Sequence, residues 1–464
     1  MSSRKTGSLV GKELPMRARV PTAVLLACSA ASACGQILNE IGSVVPGDIV
    51  AGDQFGNAVA VSGLHLVAGA FRDDDAGTNS GSAYVFDLGT GQQLYKLTAS
   101  DAGELDSFGS SVSVHGEFAV VGACFAQHDG VVTGAAYVFD LADGAELRKL
   151  VAFDGEAYDR FGDAVSISSS FVVVGAVNDG MVGLPDSGSA YLFDRKSGQL
   201  RRKLLPAGAD EFDLFGHAVA VTESHVLVGA PGDDDQGVIT GAAYLFNALT
   251  GQQVMKLTPH DGLIGDGFGL EVAMSESFAV VAAVEHDAGA VDTGAVYVFD
   301  VNTGLLLHKL VADDAASGDL FGSSVAVSGD RVVVGAIRDD DLGSSSGSVY
   351  VFDAHSGEQL FKLLASDGQY GDWLGYSVGI DGVRVVTGAY DQVGGDGTGV
   401  VYHFELPGEV CLPDTNNDGM LSPADFSAWV AAFNAMAPEC DQNDDGSCTP
   451  ADFSAWVANY NAGC

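Results

Sequence analysis

Proline and basic residues are both scarce in this chain, and cysteine is rare until its last stretch. Twelve prolines against 62 glycines, with 47% hydrophobic residues, exclude a disordered polymer and suit a turn-dense β protein. Only 21 lysines and arginines face 62 acids, a formal charge of −41. A chain so charged repels nucleic acid and anionic membrane and attracts cations. No apolar run is long and unbroken enough to span a bilayer. The ten histidines form no His-Glu-x-x-His motif, and neither a Gly-x-Ser-x-Gly elbow nor a phosphate-cradling glycine loop stands out. Acids are so abundant that a glycoside-cleaving carboxylate pair stays open as a competing reading.

The basic residues that do occur are unevenly spread. Arg4, Lys5, Lys12, Arg17 and Arg19 precede an apolar stretch, Val20 to Ala33, that ends Ala31-Ser32-Ala33. A positive n-region, a short apolar core and an A-x-A site describe a secretory signal peptide over 1–33. The expected location is therefore secreted or cell-surface. A lipoprotein cut before Cys34 is the alternative, although Ala31 sits where such signals usually carry Leu. Cys124 stands alone, whereas Cys411, Cys440, Cys448 and Cys464 crowd into the last stretch and read as two disulfides with three pairings open.

Between these ends one paragraph of sequence is written seven times. Phe-Gly recurs at Phe55, Phe108, Phe161, Phe215, Phe268 and Phe321, with Leu374-Gly375 as the seventh copy, at spacings of 53 or 54 residues. Gly69-Ala70 and its equivalents form a second mark, with Ala282-Ala283 in the fifth copy, and Tyr84–Asp87 and its equivalents form a third. In the sixth copy the pattern predicts strands Phe321–Val327, Arg331–Ala336, Val349–Asp353 and Gln359–Leu363. Four strands in seven copies point to an all-β, seven-bladed β-propeller over 36–406. The seventh copy stops after its third strand, at Glu405. Ile41–Val44 lies at the right distance upstream to supply the fourth and remove an open edge.

These three marks resemble the FG-GAP repeats of integrin α-subunit heads and of many exported proteins. That resemblance implies a display or binding domain. Integrin-like repeats often carry a calcium loop between the first and second strands; here that connection is a tight turn such as Ser62-Gly63 or Ser328-Gly329, so those calcium sites are expected to be absent. Acid lies instead in the second-to-third-strand loops (Asp73–Asp75, Asp233–Asp235, Asp339–Asp341) and, between blades, at Asp53, Asp106, Asp159, Asp213, Asp266, Asp319 and Asp372. Both loop sets emerge on one face, with only Arg72, Arg160 and Arg338 counted against them. The inter-blade aspartates are read as turn caps and the triplets as weak calcium sites.

After 410 the composition changes. Asp414, Asn416, Asp418, Met420 (through its carbonyl), Ser422 and Asp425 form a 12-residue loop with Gly419 at the sharp turn, and Asp441, Asn443, Asp445, Ser447, Thr449 and Asp452 repeat it. Each loop runs into a helix with a Phe-x-x-Trp-Val stripe, Phe426–Val430 and Phe453–Val457. The duplicated loop–helix unit over 411–464 resembles dockerin modules, of a cysteine-containing kind that ends Gly-Cys. It implies two Ca2+ ions as the cofactor and a protein receptor, cohesin-like or other, as partner. The function expected is an exported, monomeric, non-catalytic binding or scaffold protein with a glycan or protein ligand at the acidic face. The alternative is a polysaccharide-active enzyme carrying the same tag.

Overall fold

A computed structural model describes residues 36–180, 183–235, 240–390, 397–407 and 423–435, together with 453, 456 and 457. Seven four-stranded antiparallel units follow one another along the chain, and in the first six the chain order is also the order within the sheet. Blade one is Phe55–Ser62, His65–Ala70, Ser82–Asp87 and Gln92–Leu97. Blade six is Phe321–Ser328, Arg331–Ala336, Ser348–Asp353 and Gln359–Leu364, each end within one residue of expectation. Blade seven has Ser377–Asp381, Arg384–Ala389 and Val400–Glu405 from its own copy. Its outermost strand is Gly42–Val44, antiparallel to Val400–Glu405, and the Ile41 N–H donates to the His403 carbonyl at 2.9 Å.

Two features lie outside the repeat pattern. Gln36–Asn39 pairs in parallel with Gln359–Leu364 and makes blade six five-stranded. Blade two carries an extra hairpin, Gln127–His128 with Val131–Val132, inside its second-to-third-strand loop. Short first-to-second turns such as Gly63-Leu64 and Gly329-Asp330 join the inner strands.

The core is distributed between blades. A β-sheet must bury two apolar faces, and each blade does so against its two neighbours. One cluster joins Phe55, Leu66 and Tyr84 of blade one to Val386 and Val401 of blade seven, so the ring of packing is complete. The Phe-Gly mark has a mechanical meaning here. Phe108 is fully buried, edge-on to Tyr137 at 5.5 Å between centroids. Gly81, just before the third strand of blade one, bridges to it from the neighbouring blade. The second-strand glycine is needed because blades touch backbone to backbone: a Cβ on Gly229 would stand 2.0 Å from the Gly269 carbonyl oxygen. In the fifth copy that position is Ala282, whose Cβ lies 3.1 Å from where a Cβ on Gly322 would stand.

Candidate functional site: the acidic loop face and the axial cavity

The lysine of the repeated Lys-Leu pair, in the fourth strand, decides the chemistry of the loop face. It sits in register opposite the third-strand tyrosine (Tyr84 with Lys96, Tyr350 with Lys362). Its ammonium lies 5.0–5.5 Å from that ring's centroid in six blades. From there it reaches the acidic loops. Lys96 Nζ contacts Asp73 at 2.9 Å and Asp48 at 2.8 Å, and Lys256 contacts Asp233 and Asp235 at 2.7 Å. Lys362 contacts Asp314, Asp339 and Asp341 at 2.7, 3.0 and 2.6 Å. The first aspartate of each triplet is buried and also accepts from the tyrosine hydroxyl, as Asp73 does from Tyr84 at 2.7 Å and Asp339 from Tyr350 at 2.6 Å. The count of three opposing arginines is therefore corrected: the lysines, which start on the sheet edge, supply most of the positive charge of this face. Burial acts to raise the pKa of Asp73 and Asp339, but bonds from lysine and tyrosine outweigh it and hold both below the usual carboxylate value.

Asp101, Asp154, Asp261 and Asp314 leave one blade and accept from the tyrosine and lysine of the next. Asp367 meets Tyr402 at 2.8 Å. Opposite Tyr402, where the other blades place lysine, the N-terminal strand places Ser43.

The seven inter-blade aspartates are turn caps, as their position suggested. Each accepts the backbone N–H three residues before it, from Val50 to Asp53 at 2.7 Å through to Gln369 to Asp372 at 2.6 Å. All seven are buried. Burial pushes Asp159 and Asp213 up to about 6, against the lowering effect of the turn N–H.

Along the axis the first strands enclose a cavity of about 500 Å3. Its wall repeats small residues, Ala58, Ser111, Ala164, Ala218, Ser324 and Ser377, and breaks the pattern at Glu271. Ser111, Ser324 and Ser377 donate to glycine carbonyls of the next blade. Asp163, paired with Arg160 at 2.7 Å, and His217 also face the cavity. Burial within the ring, with Asp163 adding to it, raises Glu271 to about 8. Sequence reasoning missed Glu271, although it is the one acid at a position held by Ala or Ser in every other copy.

The FG-GAP repeat model matches seven stretches, 38–86, 92–139, 145–193, 199–246, 252–299, 306–352 and 358–404, together more than half of the chain. The chain belongs to the FG-GAP repeat family. Each matched stretch begins near the fourth strand of one blade and ends in the third strand of the next, so the FG-GAP repeat is offset by one strand from the blade. No curated protein matches it. Among solved structures it is similar to the computationally designed Ika8 protein, with 20% identity over 80% of this chain and 100% of that one. The TM-score is 0.47, a likeness too slight to build on.

Of the twelve expected calcium ligands, all fall outside the described residues except Asp425, whose backbone lies in the helix Pro423–Ala435. Cys34, the four C-terminal cysteines and the signal peptide fall outside them too. Trp429 and Trp456 are buried, and Phe426 stands 5.3 Å from Trp456 and 5.9 Å from Phe453. The two Phe-x-x-Trp stripes thus meet each other. Phe426, Val430, Phe453 and Val457 stay partly exposed, at 37–44%. Among the described residues no helix is long and apolar enough to cross a membrane.

Proposed function

We propose that this FG-GAP protein is an exported, non-catalytic binding or scaffold protein. The propeller presents its loop face to a glycan or protein ligand. The dockerin-like segment 411–464 attaches the molecule, with two Ca2+ ions, to a cell-surface or extracellular receptor. One observation carries the preference for binding over catalysis: the buried carboxylates of the loop face are each committed to a tyrosine, a lysine, a histidine or a turn N–H. Carboxylates so engaged hold a scaffold in shape and are not free to shuttle protons. The ring closes, in this reading, through Gly42–Val44, and the salt bridge from Asp48 to Lys96 ties the same segment to blade one.

Calcium at 411–464 is supported by the duplicated spacing of oxygen ligands and by the mutual repulsion of acids that have no basic residue among them. The test uses the full chain. Chelator should remove helical circular dichroism and abolish capture of the receptor from the source envelope while leaving the β signal intact. Unchanged helicity and capture in chelator would sink this part of the proposal. At the propeller, calcium competes with the lysines for the Asp triplets, so binding there is weak; calorimetry at millimolar Ca2+ with 411–464 deleted checks it.

One observation favours a polysaccharide-degrading enzyme instead. Glu271, whose carboxyl burial pushes up to about 8, lines the axial cavity together with Asp163, and glycoside cleavage uses a pair of carboxyl groups. Release of reducing sugar that disappears in Glu271→Gln would establish it.

A further inference from the structure

The seven copies act as an internal control for each other, and blade three departs from the others in one direction. The residue after the last one of the third strand is aliphatic in the other complete copies (Leu88, Leu141, Ala248, Val301, Ala354) but is Arg195 in blade three, followed by Lys196. Two residues before the repeated lysine the others carry Leu or Val, and blade three carries Arg201, then Arg202. Residues 195–203 thus hold five basic residues in nine, in a chain of formal charge −41. Arg148 of blade two joins them, its stem lying over Gly198 of blade three.

Lys203 is spent on Asp154 and Asp179, but the cations nearer the turn are held in place and mostly without a carboxylate. Arg195 stacks 3.9 Å above the Phe118 ring and donates through Nε to the Ser169 carbonyl at 2.7 Å. Arg202 reaches the Thr250 carbonyl of blade four at 3.3 Å. Arg201 pairs with Asp194, and Lys196 is exposed. Among the described residues no ion pair to a carboxylate is made by Arg148, Arg195, Lys196 or Arg202. The carboxylates of the same turns are engaged: Asp140 and Asp143 accept turn N–H groups and Asp194 takes Arg201. The acidic loops lie at the far ends of the strands. From the Arg195–Lys196 turn six residues of strand span about 20 Å, roughly twice the screening length at physiological salt, while Lys203, at the loop end of the same strand, meets Asp154 and Asp179.

We propose that the outer edge of blades two to four, from Arg148 through Arg195 and Lys196 to Arg202, binds an anionic polysaccharide bearing sulfate esters or uronate carboxylates. Spread guanidinium groups on a sheet edge match a linear polyanion of repeating charge, and arginine pairs with carboxylate and sulfate alike. A folded protein partner would need an apolar centre, and at positions 195 and 201 blade three carries arginine where the other complete copies carry an aliphatic residue. Single-stranded nucleic acid would need free rings for stacking, and Phe118 is already covered by Arg195. The site stands apart from the loop face and does not rest on the reading given for it.

The test applies the full-length protein at low salt to immobilised sulfated dextran, polygalacturonate, neutral dextran and single-stranded DNA. Retention is expected on one or both acidic glycans, released by salt, with none on neutral dextran; the two acidic columns separate sulfate from uronate recognition. A variant carrying Arg195→Leu, Lys196→Asn, Arg201→Leu and Arg202→Met, each a residue that another copy has at that place, should bind about tenfold more weakly or worse. Lys196→Asn with Arg201→Leu, both exposed, should show part of that loss and serves if the fourfold variant melts early. Arg72→Gln with Arg338→Gln, on the loop face, should bind as the parent does. The proposal is overturned by absent glycan retention, by patch variants that bind like the parent, by loss in the loop-face control, or by DNA binding as tight as glycan binding.

Discussion

Aspartate has two structural fates on the loop face, and position within the repeat decides which. Just before Phe-Gly it caps a turn and burial pushes its pKa up, as at Asp213; in the triplets it meets lysine and tyrosine and its pKa falls, as at Asp339. The turn caps were legible in the sequence because a short acid at a fixed place in a turn has few alternatives. The lysine contacts were not. Lys362 is in the fourth strand, 23 residues from Asp339, and only strand pairing brings them together. Asp314, Asp339 and Asp341 offer oxygens within 4.8 Å of one another, and the Lys362 ammonium lies among them. Lys362→Met should therefore destabilise the propeller by about 3 kcal/mol, the usual cost of stripping one partner from a buried ion pair. Part of the lost melting temperature should return with millimolar Ca2+. A variant as stable as the parent would show that the lysine is dispensable.

At the level of elements, strand positions followed from period-two patterning and turn residues, and their ends moved by a residue or so between expectation and structure. The parallel strand Gln36–Asn39 was not foreseen, because nothing local distinguishes a strand that adds to another blade's edge from an extended linker. It is fastened further by Glu40, whose carboxylate accepts from the Ser366 N–H at 2.8 Å. Together Gln36–Asn39 and Gly42–Val44 strap blades six and seven. Deleting 36–44 should lower the melting temperature of the propeller by several degrees and expose blade seven to limited proteolysis. A deletion that melts like the parent would mean that the ring does not depend on this strap.

For the molecule as a whole, the two aspartate classes oppose each other in pH dependence. The raised groups, Asp159 and Asp213 near 6, bind protons more tightly folded than unfolded. Their ionisation penalty is present above about pH 6 and is relieved as pH falls towards the ordinary value of 3.8. The depressed groups, among them Asp73, Asp101, Asp154 and Asp339, stabilise the fold above their unfolded value and lose that contribution as pH falls through their folded values, below 3.8. Stability should thus rise from neutral pH to a maximum between about 4 and 6 and then fall. Thermal melts across that range test the shape, and Asp213→Asn, which keeps an oxygen for the turn N–H, should flatten the rise. A profile falling steadily from pH 7 would contradict the raised values.

The sequence by itself determined the number of blades, the strand order within each and the turn-capping role of the inter-blade acids. These depend on residues near one another in the chain and are repeated seven times. Only the tertiary structure decided which charges meet. The lysines reach the Asp triplets of the loop face, Glu271 shares the axial wall with Asp163, Ser43 stands opposite Tyr402, and Arg148 of blade two joins the arginines of blade three. Each of these depends on bringing residues from different strands or blades to a common place, which ring packing fixes and local pattern does not contain.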